Sequence, residues 1–308
     1  MRRLAAAALA LGVAGSSAAP PPGLPPSSLA VWTGGQWAEW WRSSEAPVRW
    51  TAPDRALTAA LRWRRAAEGV EWADARLAGS GEAWRTRMIV ARIDPRRVRL
   101  RLDTAFAHGS RRAAWSIATA RPEAVFAVNA GQFVRTLPWG WVVLDGKRFL
   151  PPGPGPLASA VVIDSSGGVQ WAAGDAPTDS AVRRGAAFAF QSYPTLLTAD
   201  GTVPHQLQAP GAPLDLGHRD ARLAIGQARD GSLLVVLTRF DGAGGALDFV
   251  PLGLTTPEMA ALMGALGARD AVMLDGGISS QMLVGRGADA VRWPGLRKVP
   301  LALVALPR

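Results

Sequence analysis

Residues 256–282, TPEMAALMGALGARDAVMLDGGISSQM, place a helix, a strand and a sharp turn in immediate succession. Thr256 is a good N-cap, Pro257 suits the first helical position, and Glu258 puts negative charge in the first turn. Met259, Leu262, Met263 and Leu266 recur at i, i+3, i+4 and i+7, which gives the helix an apolar face. Gly267 then closes it. Ala271 to Leu274 reads as a short buried strand, and it ends in Asp275-Gly276-Gly277. A carboxylate at such a bend sits where the backbone can approach a ligand closely, and Ser279 and Ser280 add hydroxyls beside it. Asp-Gly-Gly is equally an ordinary turn sequence, so this segment alone does not establish a site.

Working outward, the chain is built mostly of short strands. Met88 to Ile93 and Val98 to Leu102 flank Asp94-Pro95, and Ala124 to Val128 is a fully apolar strand. Turn sequences separate further pairs: Asp145-Gly146 between Trp139–Leu144 and Arg148–Leu150, residues 164–168 between Val161–Ile163 and Val169–Ala172, and Arg229-Asp230-Gly231 between Leu223–Gln227 and Leu233–Leu237. Leu196 to Thr198 meets Asp200-Gly201 in the same way. Asp-Gly between apolar runs is a strong hairpin signal. Further helices are expected around Arg55 to Ala67 and over Ser110 to Ala120. The predicted fold class is α+β, with antiparallel-rich sheets and a few packed helices.

The chain has 308 residues, enough for one large domain or two modest ones, and 48% of them are hydrophobic. It has no cysteine, which excludes disulfides, zinc–thiolate sites and cysteine nucleophiles. The formal net charge of +10 arises almost wholly within the first 120 residues. Much of it lies in segments such as residues 96–102, where Val98, Leu100 and Leu102 alternate with Arg97, Arg99 and Arg101. Period-two alternation describes a strand with one solvated face, so the charge does not call for a nucleic-acid partner.

Met1-Arg2-Arg3, the apolar run Leu4 to Ala14 and the small residues 15–19 follow the three-part plan of a secretory signal peptide. The mature chain is therefore expected to be periplasmic or secreted, and no later stretch is apolar enough for a membrane helix. Residues 20–68 read as an N-terminal extension. A proline-rich linker, PPPGLPPSS, leads into a segment with Trp32, Trp37, Trp40, Trp41, Trp50 and Trp63. These tryptophans are read as cover for an open edge of the main domain, a sugar-stacking surface being the other reading. Residues 69–308 form the main domain.

Two more segments carry candidate chemistry. Val128-Asn129-Ala130-Gly131-Gln132-Phe133 leaves an apolar strand with an amide that can both donate and accept. Asp220-Ala221-Arg222 enters a strand with a planar cation suited to a phosphodiester oxygen, although an ion pair with Asp220 would explain Arg222 equally well. His218 lies four residues before Arg222, and His108 and His205 are the other histidines. No two-histidine pair or carboxylate cluster with ligand spacing occurs, so neither a metal nor another cofactor is expected.

Taken in order, these segments resemble the phosphodiester glycosidase family over roughly residues 69–306. The resemblance rests on Arg92-Ile93-Asp94-Pro95, residues 128–133, the hairpin from Gly140 to Gly146, and Tyr193-Pro194-Thr195-Leu196-Leu197. It continues through Arg222-Leu223-Ala224-Ile225-Gly226 and is strongest from Gly253-Leu254-Thr255 to Ser280. It implies a single domain of that family's fold and a glycosidase acting on a sugar-1-phosphodiester, an N-acetylhexosamine derivative being one candidate.

On this resemblance Asp275 is the catalytic carboxylate, Arg222 binds phosphate and Asn129 orients sugar or phosphate. Gly131, Phe133, Gly276, Gly277, Ser279 and Ser280 shape the pocket, His218 lies beside it, and Glu258 is a reserve acid. The chain departs from the family pattern at Ala130, Leu223 and Ile278, where Gly, Thr and Gly are frequent; Leu223 removes a hydroxyl expected near the anion site, and Ala130 and Ile278 each add a side chain at the pocket wall. A non-catalytic glycan-binding or cell-envelope protein on the same fold is the alternative.

Overall fold

The computed structural model describes residues 27–104, 114–173, 184–198, 200–208, 214–242, 247, 250 and 252–308. The expected signal peptide, nearly all of the proline-rich linker and His108 lie outside the described residues. Strands are numbered in chain order. The largest sheet holds β1 (Ser28–Thr33), β2 (Gln36–Arg42), β3 (Arg64–Ala67), β4 (Val70–Gly79), β5 (Thr86–Ile93), β15 (Thr195–Leu197), β16 (Leu223–Ala228), β17 (Leu233–Phe240) and β18 (Ala268–Met273). Its order is β15-β18-β16-β17-β5-β4-β1-β2, with β3 paired to β4.

A second sheet of β6 (Val98–Thr104), β7 (Phe126–Asn129), β19 (Met282–Val284), β20 (Val291–Trp293) and β21 (Leu301–Pro307) runs β20-β19-β7-β21-β6. A third holds β10 (Val142–Leu144), β11 (Lys147–Leu150), β12 (Ser159–Asp164), β13 (Val169–Ala173) and β14 (Ala186–Ser192), in the order β11-β10-β14-β12-β13. β8 (Phe133–Val134) and β9 (Leu137–Pro138) make a separate ribbon. The pairings are antiparallel, so the α+β, antiparallel-rich expectation is met.

Alternation along the central strands explains the layering. On β5, Met88 and Val90 enter one core, while Ile89, Ala91 and Ile93 enter another. On β17, Leu234 and Val236 join the first core and Leu233, Val235 and Leu237 join the second. The large sheet is thus buried on both faces, and β17 is apolar throughout most of its length for that reason. Its first face packs against α1 (Arg55–Ala60) and α2 (Thr256–Ala265), and its second against the two smaller sheets. The chain passes from the large sheet to the second one at Asp94-Pro95, where Asp94 Oδ1 accepts the Arg96 N–H at 3.0 Å.

Val98, Leu100 and Leu102 are buried in the second core, and Arg97 and Arg99 are exposed, as the alternation predicted. Asp145 and Gly146 both take left-handed φ, 48° and 74°, which the tight hairpin between β10 and β11 requires. The N-terminal strands continue the large sheet rather than standing apart from it. β1 pairs with β4, and Trp41, Trp40, Trp50 and Trp63 pack on the helical core.

Three local expectations are corrected. The helix at Arg55 ends at Ala60, and Arg64–Ala67 pairs with β4 as a strand; Asp54, accepting from the Leu57 N–H at 2.9 Å, caps the helix. In the segment read as a helix over 110–120, residues 110–113 lie outside the described set. The rest holds a β-bridge at Trp115 and a single turn at Ile117–Thr119, because Ser116 and Thr119 cap one another. The third correction concerns α2, whose N-cap is Thr255 and not Thr256. Its neighbours bury it on nearly every side, with the Trp50 indole against Gly264, where an added Cβ would come within 2.2 Å of the ring.

The start of α2 is fixed by charge as well as by capping. Both Glu258 oxygens accept from Arg219, at 2.7 and 2.8 Å, and one also accepts the Thr255 N–H at 2.9 Å. Glu258 is fully buried, so losing one partner strands the other's charge. Glu258→Ala is expected to lower unfolding stability by about 3–5 kcal/mol in denaturant titration, whereas replacing both partners with Leu and Met costs far less. A Glu258→Ala loss below about 1 kcal/mol would show that the pair is not structural.

Candidate active site

The site forms where two neighbouring strand ends of the large sheet meet. β16 begins at Leu223, directly after Asp220-Ala221-Arg222, and pairs with β18, whose exit carries Asp275. The pairing continues past β18, since the Leu274 N–H donates to Leu223 O at 2.8 Å and the Gly277 N–H to Ala221 O at 2.7 Å. This crossing leaves no room for side chains. A Cβ on Gly276 would lie 2.6 Å from Ala221 O, and one on Gly277, whose φ is +55°, would lie 2.7 Å from Asp220 Oδ2. The two glycines therefore bring the Asp220 and Asp275 segments into contact.

Asp220, Arg222 and Asp275 line one cleft of about 250 Å³, with Gln132, Tyr193 and Thr256 on its other walls. Burial pushes the Asp275 carboxyl above the usual aspartate range, and the negative charge of Asp220 adds to this. A hydrogen bond from Ser279 and the cation of Arg297 act in the opposite direction. Burial also raises Asp220, opposed by the Ala221 N–H, Arg222 and His218. Two carboxyls whose environments both favour the protonated form, with cations on either side, are what acid–base chemistry requires.

Arg222 is positioned through its own hydrogen bonds. Nε donates to Leu254 O at 2.8 Å and Nη2 to His218 O, which leaves Nη1 without a hydrogen-bond partner among the described residues. Burial lowers its pKa, yet a guanidinium in this setting remains charged. His218 lies at the margin: its Nε2 is 3.8 Å from Asp220 Oδ2 and its ring is largely exposed.

Asn129 stands behind the cleft rather than in its wall. Its Nδ2 donates to Asp275 O at 2.8 Å and its Oδ1 accepts the Gln281 N–H at 2.9 Å, so the buried amide ties β7 to both ends of the Asp275 loop. Gly131 O accepts the Asp275 N–H at 3.0 Å, a second tie between the same segments. Ser280 Oγ donates to Gly277 O at 2.7 Å and holds the turn. Phe133 lies under the Arg297 guanidinium, 4.7 Å from its ring centroid. Glu258, with both oxygens engaged as described above, belongs to the helix start.

The structure thus gathers Asp275, Arg222 and Gly276 at the cleft, with Ser279 bonded to Asp275 and Gly277 against Asp220. Asn129, Gly131 and Ser280 support them from behind. Sequence reasoning treated Asp220 only as an ion-pair partner and Thr256 only as a cap; both line the cleft. The nearby Arg222 was the available signal for Asp220; for Thr256 the sequence offered none. Of the three departures, Leu223 is fully buried in the second core, Ala130 is buried, and Ile278 points outward, half exposed. None of them lines the cleft. A roomier cavity of about 480 Å³ lies between residues 43–50 on one side and Val203, Leu207, Gln208, Leu216, Gly217 and Arg219 on the other, mostly apolar and lacking the carboxyl pair. Among the described residues no group of three or more His, Asp or Glu side chains could hold a metal.

The raised carboxyls predict a pH signature in stability. The folded chain binds these protons more tightly than the unfolded chain, so stability falls as pH climbs from the usual aspartate range through the raised values, and it stays lower above them. Asp275→Asn removes that buried charge. Its melting temperature is expected to match the wild type in acid, where both side chains are neutral, and to exceed it increasingly toward neutrality. Parallel melting curves for the two proteins at all pH values would contradict the assignment.

A family model described as phosphodiester glycosidase matches residues 122–306. No curated protein sequence matches. Among solved structures, the chain is similar to the catalytic domain of zebrafish N-acetylglucosamine-1-phosphodiester alpha-N-acetylglucosaminidase, auto-inhibited by its pro-peptide. That similarity has a TM-score of 0.55 and 15% identity, covering 81% of this chain and 87% of that one. It is also similar to a hypothetical protein from Synechocystis, with a TM-score of 0.50 and 17% identity, covering 83% of this chain and 65% of that one. At these identities the structures speak for the fold, and the family model speaks for membership: the chain belongs to the phosphodiester glycosidase family.

Proposed function

We propose that this protein is an exported glycosidase that hydrolyses the bond between a sugar's anomeric carbon and the oxygen of a phosphodiester, with an N-acetylhexosamine as the candidate sugar. The observation that carries this reading is the grouping of Asp275, Asp220 and Arg222 in one cleft of a phosphodiester glycosidase family member. Export rests on the signal-peptide pattern of residues 1–19, and placement in envelope or extracellular glycans follows from it.

In the proposed reaction the anomeric C–O bond breaks through an oxocarbenium-like state, and its electron pair leaves with the phosphate monoester. Water supplies the new bond to the anomeric carbon, and Asp275 acts either as base for that water or as the nucleophile that precedes it. Arg222 Nη1 meets the phosphate charge that develops on departure. A phosphate monoester leaves readily, so protonation by Asp220 contributes less than the Asp275 step. Burial also serves an electrostatic end, since two fully ionised carboxylates would repel an anionic substrate. Gln132, Tyr193 and Thr256 supply polar groups around the sugar.

Assay of purified variants on a chromogenic sugar phosphodiester tests the roles. Asp275→Asn is expected to lower kcat at least about a thousandfold, and Arg222→Ala to lower kcat/KM about a hundredfold or more. Near wild-type turnover in either variant removes that residue from its role. Binding of envelope glycans by the wild type without any product would favour the glycan-binding alternative.

A further inference from the structure

The mouth of the cleft is bordered by three segments with an unusual surface. The β8–β9 ribbon brings up Val134 and Leu137, which are 61% and 45% exposed, on either side of a tip at Arg135, whose φ is +59°. The Asp275 loop presents Ile278 at 47% exposure, and the loop after β20 presents Leu296 at 67%. Direct contacts join the three. Leu296 N–H donates to Ile278 O at 2.8 Å, Arg297 Nη2 reaches Arg135 O at 3.5 Å, and the Arg297 guanidinium lies over Phe133. Gln132, which precedes the ribbon, and Gly276, in the Ile278 loop, both line the cleft, which places this border beside it.

Single exposed aliphatics are ordinary, but four on one border are not, and here they are interleaved with cations. Arg135, Arg297 and Lys298 are all exposed, and residues 131–137, 276–282 and 294–298 contain no acidic side chain. Aliphatic tips that can enter an acyl layer, set among cations that meet anionic headgroups, fit the interface of a phospholipid bilayer. A polysaccharide alone would favour aromatic platforms and hydrogen-bonding side chains over Val, Leu and Ile tips.

We infer that this border seats the protein on an anionic membrane surface, so that the phosphodiester entering the cleft is carried by a lipid. Naming a lipid aglycone rests on the glycosidase reading; the seating itself does not. No described helix is long and apolar enough to cross a membrane.

Sedimentation of the full chain with vesicles tests this, using phosphatidylcholine alone and phosphatidylcholine mixed with phosphatidylglycerol. The wild type is expected to bind the anionic vesicles at least about tenfold more tightly than the neutral ones, and less tightly as salt is raised. The double variant Val134→Ser/Leu296→Ser, altered only at exposed positions, is expected to lose about tenfold or more of that binding. Its turnover of a soluble sugar phosphodiester should stay at the wild-type level.

Absence of vesicle binding, equal binding to both vesicle types, or binding unchanged in the double variant overturns the inference. Loss of soluble-substrate turnover in the double variant without any vesicle binding also overturns it, and would assign the border to a soluble aglycone. Vesicle binding in a protein that turns over no sugar phosphodiester would keep the membrane seat and remove the glycosidase reading.

Discussion

Backbone contact between the Asp275 loop and the entry to β16 is the constraint on which the rest of the site depends. Gly276 and Gly277 lie so close to Ala221 O and the Asp220 carboxylate that a Cβ at either position would fall below 3 Å. Because these residues lack side chains, two adjacent strands of the large sheet can project Asp220, Arg222 and Asp275 into one cleft. The second sheet holds the arrangement from behind, through Asn129 on Asp275 O and Gln281 N, and through Gly131 O on Asp275 N. Neither sheet alone would fix the loop. The site is a junction of sheets, and its geometry follows from their packing.

This arrangement opposes stability in one place and adds to it in another. Two partly buried carboxyls destabilise the fold at neutral pH, the usual consequence of preparing a cleft for acid–base chemistry. Nearby, the bidentate contact of Arg219 with Glu258 anchors the start of α2, and the large sheet is buried on both faces by helices and by the smaller sheets. The N-terminal strands extend the same sheet through β4. The charged loops of the site are thus carried on a scaffold whose core is apolar.

Much of this was legible in the sequence, because alternation and turn chemistry are local. The Asp145-Gly146 hairpin, the Arg97–Leu102 alternation and the α2–β18 succession all follow from spacing and backbone preference. Misreadings arose where tertiary contacts decide. Arg64–Ala67 looked helical but finds a partner in β4, and Thr255 rather than Thr256 caps α2 because Glu258 returns its hydrogen bond. Leu223 looked like a missing hydroxyl at the site, yet strand alternation turns its side chain into the core. Asp220 could not be recognised as a partner of Asp275, 55 positions away, without the pairing of β16 with β18.

The central claim is that Asp220 and Asp275 act as one unit in the cleft, and a double-mutant cycle tests it most directly. Rates of sugar phosphodiester cleavage would be compared for Asp220→Asn, Asp275→Asn and the double variant. The predicted result is strong coupling, with the double variant falling little below Asp275→Asn alone. Two losses that simply multiply would contradict the account, because they would show that the carboxyls act independently of one another.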